Sequence, residues 1–558
     1  MAGGGTPSSS SPNHGEMDRR YKSTGEVLHG FTQWTSSHAV PHLGRVTNQW
    51  ALYFWLLVTF VSFASLFGIS TLLLINYMKR EVAVSVELRF EERPFPAVSI
   101  CALNPYKRSH AMQIPKIRKL METYEYAKKR QIRPNMKVNK TLDSYMKVYA
   151  LEHIKDSAAL QAKVRNLLAL AMAAASHKYR DHLRASMAAK KELIRSCSFN
   201  IKDCDLEKDF DEFIDPKLGR CFTFNKHANK IVSRAGPTYG LRMVLKANED
   251  DYLPTSEAAG MRVTLHNQTE EPFPDVLGYN VEVGRCTSMG VTYRDIKRLG
   301  GVFSNCVKEA EKPSSFLYTG TYSTEGCQRS CYQEKIEKAC GCTDPVYPSK
   351  REDLTVCDIE IANQRVCWEQ TMERFKKQKQ EAQEEMQAKR IGPSWNSRFS
   401  DEFKCDCSQP CQEGVYDITM STAQWPAGNL RKVADCIEDD PVDRIRRKNR
   451  TCKQEYQRNG AMIELFYSKL NYEELEEQPK MEMVNLMADF GGQIGLWLGW
   501  SVISMVEYVI LTYLLMRQLC CRPPTYDRQP IGGFDEPSKS EMVVNEGGYF
   551  SPTPPAVH

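Results

Sequence analysis

The chain reads as an α+β membrane protein in which two transmembrane helices flank a large disulfide-rich domain. Three observations lead there. Long apolar stretches lie near both ends, 17 of the 19 cysteines fall between Cys101 and Cys452, and the region between the stretches mixes helical with strand-like patterning. The expected boundaries are a tail over 1–49, a first span over 50–76, a cysteine-rich domain over 77–484, a second span over 485–516 and a second tail over 517–558.

The first fifty residues are polar, with Gly3-Gly4-Gly5 and Ser8 to Ser11 near the start, and they show no compact apolar core of a cleavable signal peptide. Trp50 to Ile75 then runs apolar and uncharged for more than 20 residues, enough to cross a bilayer at about 1.5 Å rise per residue. Arg19, Arg20, Lys22 and Arg45 precede this span and Lys79 and Arg80 follow it, so basic residues alone do not orient it. Two spans place both tails on one side.

Cysteine usage supplies the orientation. A cysteine density this high between the spans calls for an oxidising compartment, and only Cys520 and Cys521 lie beyond the second span. The acceptor sequons at Asn139, Asn267 and Asn449 fall in the same middle region. The domain is therefore expected outside the cell, both tails in the cytosol and the chain in the plasma membrane. Cys340-Gly341-Cys342 and Cys405-Asp406-Cys407 have a spacing too tight for paired zinc ligands, and disulfides are expected instead.

With about 400 residues, the domain exceeds the usual size of one folding unit and should hold several packed subdomains. Leu142 to Ile194 is rich in Ala, Leu, Lys and Arg and predicts helix, whereas Leu241–Leu245, Arg262–His266 and Tyr279–Val283 predict strands. Glu369 to Arg390 alternates charges at helical spacing without an apolar stripe, as a solvated helix would. A net charge of +5 is small for 558 residues and implies no nucleic-acid footprint. No phosphate loop, nucleophile elbow or His-Glu-x-x-His pair is present, and isolated histidines such as His153 and His182 fit a surface better than a metal site, so nothing points to an enzyme or a cofactor.

The second span is less uniform. Gly491-Gly492-Gln493, Gly499-Trp500-Ser501, Asp489 and Glu507 interrupt a stretch otherwise apolar enough to cross a bilayer. Carboxylates there are costly unless they face water or protein, which favours a pore-lining helix over a lipid-embedded anchor packed through its glycines. Asp489 and Glu507 are 18 residues apart, so an unbroken helix would set both on one face about 27 Å apart.

Several motifs together resemble the epithelial sodium channel/degenerin family, which includes acid-sensing and peptide-gated channels. They are His29-Gly30 before the first span, Phe95 through Cys101 after it, Gly219 through Asn225, the cysteine array, and Gly491 through Ser501. The resemblance implies a homo- or heterotrimeric cation channel, permeable to sodium and sensitive to amiloride, with a palm, β-ball, knuckle, finger and thumb. It implies that Gly499, Trp500, Ser501, Asp489, Glu507, His29 and Gly30 belong to the ion pathway, and that Ala488, His29 and Gly30 bear on gating. In a trimer Asp489 and Glu507 would each form a ring of three carboxylates, which attracts cations. Relatives commonly carry a small residue where this chain has Trp500, and their second span is interrupted near Gly-x-Ser.

The family's pairing, carried over by position, joins Cys101–Cys221, Cys197–Cys204, Cys306–Cys411, Cys327–Cys407, Cys331–Cys405, Cys340–Cys367 and Cys342–Cys357. Cys436–Cys452 is assigned from the remaining cysteines, with Cys286 left free. Beyond the second span, Pro523-Pro524-Thr525-Tyr526 fits a WW-domain ligand such as a ubiquitin ligase would read, or a plain Pro-rich tail like Ser551 to Pro555. The juxtamembrane pair Cys520 and Cys521 is open to palmitoylation or stays as free thiols. The expected partners are related subunits and membrane lipid, and the competing readings are an ATP-gated purinergic-type channel and a non-conducting two-span receptor or adhesion protein.

Overall fold

The computed structural model describes residues 23–92, 94–175, 179–389, 405–428, 432–434, 436–437, 448 and 450–520. These residues fall in two compact units. One joins both ends of the chain, Met1–Asn76 with Met483–His558, and the other is the middle segment Tyr77–Glu482. The tail motif Pro523, Pro524 and Tyr526, the sequon residue Asn449, Cys521 and the last residue of the charged insert, Arg390, lie outside the described residues.

In the terminal unit, Gln49–Met78 is one uninterrupted helix of 30 residues. At about 1.5 Å per residue it is longer than a hydrocarbon core of about 30 Å, and its most apolar window has a mean hydropathy of 2.1 with no residue buried. The second span is instead two half-helices, Met483–Leu498 and Val502–Cys520. Gly499 separates them at φ 65°, a left-handed conformation that a residue with a Cβ adopts only at a cost. The arithmetic that set Asp489 and Glu507 on one helical face therefore does not apply, because they stand on different helices.

The middle unit is built on two sheets. The larger runs Val82–Arg89, Tyr472–Pro479, Arg285–Lys297, Gly460–Tyr467, Leu241–Lys246, Ile194–Phe199 and Lys202–Asp203, with Gln412–Gln424 also paired to Arg285–Lys297. Most pairs are antiparallel, but Arg285–Lys297 runs parallel to both Gly460–Tyr467 and Tyr472–Pro479. The smaller sheet runs Phe210–Asp215, Gly219–Phe224, Ala97–Ala102, Gly260–His266 and Tyr279–Glu282. One apolar core joins the two, with Phe95, Phe199 and Phe224 in mutual edge or tilted contact. Each fully buried ring contributes on the order of 1.5–3 kcal/mol, so the Phe95–Cys101 motif is explained by packing.

The stretch expected as one helical region over Leu142 to Ile194 is divided into Lys140–Val148, Ser157–Ala175, Arg180–Ser186 and Lys190–Leu193, and Ile194 already opens a strand. A further helix, Pro115–Ile132, packs on the first two through Ile117, Leu120 and Tyr124. Its surface is too heavily charged for the apolar stripe to stand out in sequence. The helix Thr324–Cys340 starts at Ser323, whose hydroxyl accepts from the Gly326 amide at 3.2 Å, and stops at Gly341 with φ 62°. Ala362–Lys389 carries most of the charged insert.

Eight disulfides tie the unit together: Cys101–Cys221, Cys197–Cys204, Cys306–Cys411, Cys327–Cys407, Cys331–Cys405, Cys340–Cys367, Cys342–Cys357 and Cys436–Cys452. The cysteines of the two one-residue-spaced pairs are thus all committed to disulfides. Cys286 keeps a free thiol, half-buried on Arg285–Lys297. A buried ion cluster adds a polar tie between the Thr324–Cys340 helix and the segment Pro274–Leu277. Asp275 meets Arg329 at 2.6 Å and Lys217 at 2.9 Å, while Arg329 also lies 4.7 Å from the Phe273 ring centre. Burial alone would raise the Asp275 carboxyl, but the two cations hold it below the usual range.

The candidate site at the break in the second span

Breaking a helix inside a bilayer frees backbone groups that lipid cannot satisfy. Here the N-terminal segment Thr35–His38 meets them. The His38 amide donates to the Leu498 carbonyl at 3.4 Å, at the end of the first half-helix. The Trp500 indole N–H donates to the Ser37 hydroxyl at 3.1 Å, and the Tyr508 hydroxyl donates to the same oxygen at 3.4 Å. A Cβ built on Gly499 would lie 2.2 Å from the His38 ring. Glycine is therefore needed at position 499 twice over, for its φ and for the space His38 fills.

The second half-helix begins with a reciprocal cap. The Ser504 amide donates to the Ser501 hydroxyl at 3.3 Å, and the Ser501 amide donates to the Ser504 hydroxyl at 3.2 Å. Two amides of the first turn are thereby satisfied by serines, as a capping box does with Ser and Glu. Ser504 also shares a hydrogen bond with the Ser36 hydroxyl at 2.7 Å. One turn on, a single oxygen of Glu507 accepts from the Thr35 hydroxyl at 2.9 Å, the Ser36 amide at 2.8 Å and the Ser36 hydroxyl at 3.1 Å. A buried carboxylate with three donors on one oxygen is well compensated.

The helix Thr24–Trp34 delivers this segment. Ser23 caps it by accepting from the Glu26 amide, Val27 and Phe31 are its buried residues, and the Phe31 ring lies 5.1 Å from Tyr508. The Trp500 ring also meets Tyr508, tilted at 4.7 Å between ring centres. His29 and Gly30 lie within the helix, with His29 exposed, whereas Phe31 and Thr35–His38 make the ring contact and hydrogen bonds to the second span. Sequence reasoning missed those four residues. Their only signal is a hydroxyl-rich run, Thr35-Ser36-Ser37, between two apolar stretches.

Ala488 and Asp489 are exposed on the first half-helix, and Gly491 and Gly492 meet no other atom within 4 Å of a built Cβ. The structure thus gathers Gly499, Trp500, Ser501 and Glu507 around one segment, apart from Ala488 and Asp489.

A profile described as the amiloride-sensitive sodium channel family matches residues 31–511. The chain belongs to that family. Among its relatives, degenerin unc-8 of Caenorhabditis elegans is 34% identical over 399 residues, covering 71% of this chain and 48% of that protein. Degenerin mec-10 of the same organism is 38% identical over 368 residues, 65% of this chain and 46% of that one. The degenerin-like protein asic-1, also from Caenorhabditis elegans, is 36% identical over 407 residues, 72% and 45% respectively. The chain spans just under half the length of these relatives. Family membership with two apolar helices makes the chain a membrane protein, and it removes the purinergic-type alternative.

The middle unit holds a second feature, a cavity of about 1170 Å³ whose lining includes Thr264, His266, Glu270, Tyr293, Glu413 and Tyr416. His266 is buried, bonded to the Ser99 hydroxyl at 2.9 Å and to the Asn267 carbonyl at 2.8 Å, and burial pushes its ring down to about 4. Burial, with the Glu413 charge adding to it, pushes the Glu270 carboxyl up to about 7.

Proposed function

We propose that the chain is a subunit of a trimeric, sodium-permeable and amiloride-sensitive cation channel of the plasma membrane. Its disulfide-rich domain faces outward, both tails are cytosolic, and Na+ is the permeant ion with no fixed cofactor. The break at Gly499–Ser501 carries this reading. Irregular backbone at membrane depth persists only when it is buried in protein or lines a water-filled passage, and here Ser501 is exposed while Trp500 is bonded to Ser37. The exposed Ser501 suits partial replacement of an ion's water shell, and the exposed Asp489 suits a cation-concentrating ring. Glu507 serves the pathway by anchoring Thr35 and Ser36. On the cytosolic side, Pro523, Pro524 and Tyr526 would dock a WW-domain ubiquitin ligase.

Whole-cell recording from cells expressing the chain, alone and with related subunits, tests this. An inward current is expected whose reversal potential follows external sodium and which amiloride blocks. Surface-labelled protein that gives no sodium-dependent current in any combination would leave a non-conducting receptor.

A further inference from the structure

We propose that the hairpin between the helices Pro115–Ile132 and Lys140–Val148 is a docking site for a sulfated polysaccharide of the extracellular matrix. This inference rests on the outward orientation of the middle unit. Residues 127–142 contain Lys128, Lys129, Arg130, Arg133, Lys137 and Lys140 and not one Asp or Glu, in a chain whose whole net charge is only +5. Arg130 is neutralised by Asp143 at 2.5 Å. The other five are exposed, and among the described residues none has a carboxylate partner. Elsewhere in this domain, Lys448 and Arg450 are both paired with Asp250.

The cations sit on a fixed frame. The Asn139 amide donates to the hydroxyl of the buried Tyr126 at 3.1 Å, closing the hairpin. The Asn139 side chain then caps the second helix by accepting from Thr141 and Leu142. Five solvated like charges repel one another, and an anionic polymer that neutralises them gains both attraction and counterion release, with a strong salt dependence. A flexible sulfated chain needs no groove. The same tip exposes Ile132 and Val138, which makes an anionic bilayer the competing partner. A glycan on the exposed Asn139 would hold a bilayer off the tip but leave a soluble chain access.

The test uses the full chain, purified in detergent, on immobilised heparin and on a sulfopropyl resin of matched charge density. The wild-type protein should elute from heparin at clearly higher salt than from the resin. The variant K128Q/K129Q/R133Q/K137Q/K140Q should bind heparin at least about tenfold more weakly. A control with five other exposed lysines changed, K155Q/K191Q/K202Q/K208Q/K226Q, should bind as the wild type does. Equal elution of the two variants, equal retention on both columns, or capture by phosphatidylserine vesicles without heparin binding would each overturn the proposal. Endoglycosidase sensitivity of the surface protein separately tests the outward orientation, so failure there is distinguishable from failure of the site.

Discussion

Glu270 shows how one side chain can make a fold depend on pH. Its carboxyl sits near 7 in the folded chain against an ordinary 4.5, so the folded state binds the proton more tightly than the unfolded one. The stabilisation this gives is complete below the unfolded value and is lost as pH rises through about 7. Glu270→Gln should therefore flatten the stability profile between those values and raise stability at pH 8, by about 3 kcal/mol at most. Thermal melts of both proteins at pH 5 and pH 8 decide it; an equal change at the two pH values would reject the role of Glu270. His266 works in the opposite sense, since its lowered value removes stability only as pH falls toward 4. At Ala488 the expectation concerns gating. If three copies approach in the shut channel, Ala488→Phe strains that state, and about 2.7 kcal/mol would shift the open-to-closed ratio a hundredfold. Standing current is expected from Ala488→Phe and not from Ala488→Gly, and a variant that stays shut at rest would remove Ala488 from the gate.

At the scale of elements, the broken span and the N-terminal segment form one unit, and two substitutions separate its parts. Gly499→Ala places a methyl where the His38 ring lies and forces a left-handed residue, at about 1–2 kcal/mol for the backbone alone. It should displace the segment and alter ion selectivity. Trp500→Phe keeps a ring against Tyr508 but loses the N–H donor to Ser37, a smaller change of about 1 kcal/mol. Reversal potentials should shift more for Gly499→Ala than for Trp500→Phe, and an unshifted Gly499→Ala would mean that the break does not set selectivity. Much of this was legible in the sequence. Glycines, serines and carboxylates in an apolar run mark a special span, and the strands at 241–246, 260–266 and 279–282 follow from alternation and turn residues. The partner of Glu507 was not legible, because a carboxylate in an apolar helix reads the same whether it meets an ion or the hydroxyls of a segment 471 residues away. The division of 142–194 into four helices was hidden too, because an Ala-rich composition has high propensity throughout and tertiary packing sets the ends.

For the whole molecule, topology is the property most open to test. Asn139 and Asn267 lie on the surface of the middle unit, exposed and half-exposed respectively. Removing each sequon by Asn→Gln should lower the mass of the mature protein by one glycan, while an acceptor engineered into either tail should stay unmodified. Glycosylation of a tail acceptor would invert the orientation. Within the covalent frame, Cys101–Cys221 and Cys306–Cys411 each close more than a hundred residues.

The contact between Thr35 and Glu507, 472 residues apart, also sets a timetable for biogenesis. At about 5–20 residues per second, the N-terminal segment leaves the ribosome on the order of half a minute to a minute and a half before its binding surface exists. Until then its hydroxyls and amides must be held by water or by a chaperone, and nascent chains halted before Val502 should leave Thr35–His38 open to added protease. The Glu507 contacts therefore become available only after synthesis has passed residue 507, which makes the site at the break one of the last parts of the chain to form.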